Sequence, residues 1–170
     1  MSKKTVFLVI AILIAIVGIF AYLNSDYIKD KKGMHINAEI MLKEGDKETL
    51  LTFDEIKKLG EEEFKANLKS AGNPAVEHSY RGVPLKNVIK EANIDTEDKT
   101  QVIVRAVDGF TSAYNISEVL EDNNMYLVYM MDNEPLKSRE DGGDGPYQII
   151  VRKDQFSQRW AKYVLEIELQ

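Results

Sequence analysis

Met125-Tyr126-Leu127-Val128-Tyr129-Met130-Met131-Asp132-Asn133-Glu134-Pro135-Leu136 decides the fold. Its first seven residues are apolar without a break, which predicts a strand buried on both faces. Asp132-Asn133-Glu134-Pro135 then carries turn chemistry. Before it, Gln101–Val107 (QVIVRAV) is dense in β-branched residues and predicts a central strand. Asp108-Gly109 is a tight turn from which Phe110–Tyr114 returns. Ile116–Asp122 reads as a short helix, with Asn115 or Ser117 available as its cap. After it, Ser138–Pro146 (SREDGGDGP) combines glycines, a proline and alternating charge, which predicts a surface loop. Tyr147–Val151 is another strand. The last is Lys162–Leu169, with Tyr163, Leu165, Ile167 and Leu169 expected on one face.

The upstream half has the same texture. Ile36–Leu42 alternates apolar and polar residues, and Gly45-Asp46 turns. Thr52-Phe53-Asp54-Glu55 is a capping box opening a short helix that Gly60 stops. Phe64, Ala66 and Leu68 alternate with polar residues, and Ser70-Ala71-Gly72-Asn73-Pro74 leads into a returning strand at Ala75–Tyr80. Pro84 opens a helix whose buried face is Leu85, Val88, Ile89 and Ala92. Short helices among many strands predict an α+β domain with a mixed or antiparallel sheet over residues 36–170. That length, about 135 residues, suffices for a core.

The first residues are of another kind. After a four-residue tail, Thr5–Leu23 (TVFLVIAILIAIVGIFAYL) runs 19 residues without a charge. As a helix it is about 28 Å long, close to the hydrocarbon core of a bilayer. This predicts a transmembrane anchor over residues 5–23, followed by a polar linker over 24–35. The other reading is a cleaved signal peptide, whose apolar core would be shorter and end in a small-x-small site. The short tail with Lys3 and Lys4 fits an N-terminus inside, a single pass through the cell membrane, and a domain outside the cytoplasm. Without Lys3 and Lys4 the chain has 20 basic and 28 acidic residues, a charge of −8. Such a domain is a poor partner for nucleic acid or anionic lipid heads.

Five stretches in register resemble the molybdopterin-binding oxidoreductase domain of the sulfite oxidase family. They are Tyr80-Arg81-Gly82-Val83-Pro84-Leu85, Val107-Asp108-Gly109-Phe110-Thr111, Tyr126–Leu136, Gly142–Val151, and Arg159-Trp160-Ala161-Lys162-Tyr163-Val164. The resemblance implies a sulfite oxidase-like molybdopterin-binding fold from about Leu50 to Leu169. It also implies a cysteine thiolate on molybdenum, a soft ligand suited to that metal. The chain has no cysteine. Ser70, in Ser70-Ala71-Gly72-Asn73, stands where the resemblance would put it.

The family also binds the cofactor with a basic, hydroxyl-bearing loop near the C-terminus. That places Arg152, Lys153, Ser157 and Arg159 as candidate anion ligands, with Trp160 either stacking on a ring or packed in the core. His78 is a candidate for lining the cleft; His35, the other histidine, has no metal-binding spacing to it. Glu61-Glu62-Glu63 reads as a solvated face. Glu134, Glu140, Asp141 and Asp144 match no calcium loop. The expectation is no metal site and no catalytic residue, with molybdopterin a possible cofactor. The chain then reads as a binding or accessory module for a small anionic ligand or protein partner. The alternative is a molybdopterin-dependent oxidoreductase with a non-cysteine metal site.

Overall fold

The computed structural model describes residues 5, 10, 12–20, 38–69 and 72–170. The chain divides into two units, Met1–Met34 and His35–Gln170. In the first, residues 12–20 are helical. Among the described residues no helix is long and apolar enough to cross a membrane. Much of the expected anchor, the whole linker, His35 and Ser70 lie outside the described residues.

The second unit contains β1 (Glu39–Glu44), β2 (Lys47–Thr52), α1 (Phe53–Lys57), β3 (Glu62–Leu68), β4 (Val76–Pro84), α2 (Leu85–Glu91), β5 (Gln101–Ala106), β6 (Thr111–Asn115), α3 (Ile116–Leu120), β7 (Met125–Met131), β8 (Glu134–Pro135), β9 (Gln148–Val151) and β10 (Val164–Leu169). They form two sheets. Sheet A has the order β2-β1-β10-β5-β6, and sheet B has β3-β4-β7-β8 with β9 also on β7. Every pairing is antiparallel except β1 with β10, where Met41 pairs with Glu166 in parallel. The α+β expectation holds, with two sheets where the periodicity suggested one.

β7 is the buried strand its composition demands: Met125 through Tyr129 are all buried. Its turn uses left-handed backbone at Asp132 (φ 52°) and Asn133 (φ 65°), residue types that tolerate it. β7 can lie against β4 only because Gly82 has no side chain. A Cβ there would sit 2.3 Å from the Leu127 carbonyl oxygen and 2.7 Å from Val128 Cα. The β4–β7 register shifts at this point, between Arg81 and Gly82. At α1, the Glu55 carboxylate reaches back to the Thr52 N–H at 2.8 Å, as the capping box requires.

Five tyrosines (Tyr80, Tyr114, Tyr126, Tyr129 and Tyr147) are fully buried in the core cluster. A buried phenol needs a partner for its hydroxyl. Tyr126 donates to Glu62 at 2.8 Å, Tyr129 to Glu61, and Tyr147 to the Ala38 carbonyl at 3.2 Å. Glu63 accepts from Arg81 at 3.1 Å and from Ser79 at 2.9 Å. The run Glu61-Glu62-Glu63 is exposed, the solvated face expected of it. It is also a row of acceptors for buried tyrosines and for Arg81.

β2 is not among the strands expected from the sequence; in it Leu51 is buried and Leu50 exposed. One expectation changes. In β10 the register shifts between Val164 and Glu166. That bulge puts Val164 and Ile167 in the core and leaves Leu165 51% exposed, so the predicted single face of Tyr163, Leu165, Ile167 and Leu169 is broken.

Candidate functional site

Four of the candidate residues lie on the segment between β9 and β10, which includes a 3-10 turn at Ser157–Arg159. The segment is fastened at several points. The Arg152 N–H donates to the Asn124 carbonyl at 2.9 Å. Ser157 donates from N–H (3.2 Å) and Oγ (2.9 Å) to the Lys69 carbonyl at the end of β3. Trp160 is buried, its Nε1 donating to the Val151 carbonyl at 3.1 Å. Its ring meets Tyr80 edge-on at 5.9 Å, and Tyr80 meets His78 at 6.1 Å. The structure thus gathers Ser157, Trp160, Tyr80 and His78 about one end of the β3–β4 hairpin, with Trp160 in its packing role.

The cations point elsewhere. Arg159 donates to both oxygens of Asp154 (Nε 2.9 Å, Nη2 2.5 Å) and both of Glu118 (Nη2 3.0 Å, Nη1 3.3 Å). Its own carbonyl accepts the Tyr114 hydroxyl. Arg159 stays protonated far above the ordinary range, through Asp154 first and Glu118 second. Glu118 is in turn held below the usual carboxylate range, mainly by Arg159. Burial pushes the Tyr114 hydroxyl up to about 12. Lys153 pairs with Glu121 at 2.5 Å. Arg152 lies over the rings of Phe64 (5.0 Å) and Tyr126 (5.9 Å).

His78 Nδ1 sits 2.6 Å from Asp132 Oδ2, and Asp132 Oδ1 accepts the Ser79 N–H at 3.0 Å. The histidine contact comes first in lowering the Asp132 pKa, followed by that backbone bond. This contact ties β4 to the β7–β8 turn. Among the described residues no group of three or more histidines, cysteines or acids could hold a metal.

Sequence reasoning missed Glu118, Glu121 and Asp154. Glu118 was legible as the third residue after the cap Asn115, whose N–H it accepts at 3.1 Å. Nothing local signals that the same carboxylate reaches Arg159, 41 residues away.

A family model described as the oxidoreductase molybdopterin binding domain matches residues 35–170. The chain belongs to that family. The molybdopterin-binding oxidoreductase fold also occurs in a solved structure, the sulfane dehydrogenase SoxCD from Paracoccus pantotrophus. The similarity has a TM-score of 0.64 and 17% identity, and it covers 77% of this chain and 37% of that one. The chain thus corresponds to little more than a third of that protein. No curated protein matches it.

Family membership makes molybdopterin a possible cofactor, but the residues of this chain do not fit it. The soft thiolate is missing from all 170 residues. Arg159 and Lys153 are already matched by carboxylates. Gly143 and Gly145 offer no phosphate cradle, because a Cβ on either would strike Lys137 (2.4 Å) or Leu136 (2.6 Å). The buried polar atoms without partners, Asn124 Oδ1 and Gln148 Oε1, are acceptors, the wrong polarity for a phosphate.

Proposed function

We propose that this chain is a membrane-anchored, extracytoplasmic accessory or binding module that keeps the molybdopterin-binding oxidoreductase fold and works without molybdenum. The observation that carries the reading is the donor set. The chain has no cysteine, and the loop's Arg159 is saturated by Glu118 and Asp154. A guanidinium already holding two carboxylates binds a free anion only by giving one up.

Anchoring through residues 5–23 is supported by their uncharged length and by helix at residues 12–20. His78, Arg152 and Ser157 are the described candidates left for a weak ligand or protein contact, with Lys153 and Arg159 reserved for internal pairs; Ser70, a candidate by sequence, lies outside the described residues.

The test is purification of the full chain from a molybdenum-competent host, with metal analysis and pterin fluorescence. The expected result is a folded protein with neither. Stoichiometric molybdenum would overturn the proposal and restore the oxidoreductase with a non-cysteine site. Membrane fractionation with protease protection in intact cells tests the anchor, which predicts a domain cut from outside.

A further inference from the structure

Sheet A ends in β2 and β6; sheet B ends in β3 on one side and in the two-residue β8 and the fully buried β9 on the other. An exposed strand edge is a template for pairing, and proteins usually blunt it with charge or proline. β2 carries Lys47 and Glu48; β3 carries Glu62, Glu63 and Lys65. β6 (Thr111-Ser112-Ala113-Tyr114-Asn115) carries neither charge nor proline.

The hydrogen-bond phase shows which groups β6 leaves open. Ala106 N–H donates to Phe110 C=O, and Ile116 N–H to Thr100 C=O. With Ser112 opposite Val104 and Tyr114 opposite Val102, the even-numbered residues of β6 form the bonded pairs with β5. Thr111 and Ala113 therefore turn their backbone groups to the free edge. The Asn115 N–H is taken by Glu118. Among the described residues nothing accepts from or donates to the backbone of Thr111 or Ala113 on that side. The side chains of Thr111, Ala113 and Asn115 are exposed.

The geometry points to a second copy of this chain as the occupant of this edge, pairing β6 with β6 antiparallel about a twofold axis at Ala113. The sequence is self-complementary in that register. Ala113 faces Ala113, so its N–H and C=O bond reciprocally across the axis and its small side chain keeps the centre clear. Thr111 faces Asn115, an uncharged pair that adds no backbone bond, because Glu118 takes the Asn115 N–H and the N-cap carbonyl accepts the first bond of α3. At each end Phe110, 42% exposed, meets the half-buried Ile116 of the other copy. No charge falls within the paired strands, whereas β2 and β3 both carry charged residues. An isologous contact of this kind closes as a dimer instead of growing into a fibre. The inference is independent of whether the chain binds molybdopterin.

The absence of native cysteine makes the test clean. In the full chain, Ala113→Cys should oxidise to a disulfide-linked dimer, since residues in such a bonded pair lie about 5.5 Å apart at Cα, within disulfide range. Leu50→Cys, exposed on the opposite edge strand, is the control and should not. In the otherwise wild-type chain, Ala113→Lys places like charges across the axis and should abolish concentration-dependent dimerisation in sedimentation, with the melting temperature of the dilute monomer unchanged. The inference is overturned by any of three results: a dimer that survives Ala113→Lys, Ala113→Cys linking no faster than Leu50→Cys, or a wild-type chain that stays monomeric at every concentration.

Discussion

Replacing Arg159 with glutamine should unfold the domain more easily, whatever it does to ligands. The guanidinium ties the β9–β10 segment to α3 through Glu118 and to itself through Asp154. Hydrogen bonds to charged groups contribute about 1.5–3 kcal/mol each when shielded. The Arg159 side chain is 39% exposed, so solvent screening cuts the sum, and about 2 kcal/mol is the expected loss. In a domain of this size that lowers the melting temperature by about 7 °C. The assay is thermal and urea unfolding of wild type, Arg159→Gln, Glu118→Gln and the double variant. The double-mutant cycle should show the two substitutions to be coupled rather than additive.

The pH dependence has a definite sign. Arg159 holds Glu118 below its ordinary carboxylate value of 4.5. A depressed carboxylate contributes stability that is fully present above its unfolded pKa and is lost as pH falls through the folded one. The gap between wild type and Arg159→Gln should therefore be widest near neutrality and narrow in acid below the 4.5 reference. A variant that melts within about 0.5 kcal/mol of wild type, the range of an ordinary surface change, would refute the latch. So would a gap that ignores pH. If Arg159 instead serves a free anion, pyrophosphate would raise the melting point of wild type and not of the variant.

Gly82→Ala should cost about 3 kcal/mol or more, read as loss of soluble protein or a large drop in urea midpoint, because its Cβ meets β7 backbone at 2.3 Å. Gly109→Ala is the contrast: it meets nothing within 4 Å and is opposed only by its φ of +87°, about 1 kcal/mol. Leu165→Ser should change stability by less than about 0.5 kcal/mol, since the bulge leaves Leu165 outside the core; a loss of core magnitude would show the bulge to be absent.

Local chemistry made much of this fold legible. The apolar run of β7, the Asp108-Gly109 turn and the alternation of Phe64, Ala66 and Leu68 are properties of neighbours in sequence. So are the Asn115 and Thr52 caps. What escaped was set by distant partners. β2 is a strand because β1 lies beside it, with Leu42 opposite Thr49, and not because KETLLT alternates. Leu165 left the core because β10 slips against β5. Glu61 and Glu62 are exposed as their charge suggests, but nothing local shows that Tyr129 and Tyr126 donate to them from more than sixty residues away. At the candidate site, residue type marked Arg159, Lys153 and Ser157 as candidate anion ligands. It could not show that their partners are the chain's own carboxylates and carbonyls.

β10 occupies the middle of sheet A, between β1 and β5. Each of its neighbours belongs to a hairpin that can form early, β1 with β2 and β5 with β6. Nothing joins those hairpins until Val164–Leu169 slides between them. Bringing Met41 to Glu166 closes nearly the whole domain into one loop, an entropic cost of about 4 kcal/mol before any contact repays it. Assembly of sheet A is thus a late, single event that depends on the last strand to be synthesised among its members. A product released before Val164 keeps every strand of sheet B but leaves sheet A as two separate hairpins, each with an unsatisfied strand edge.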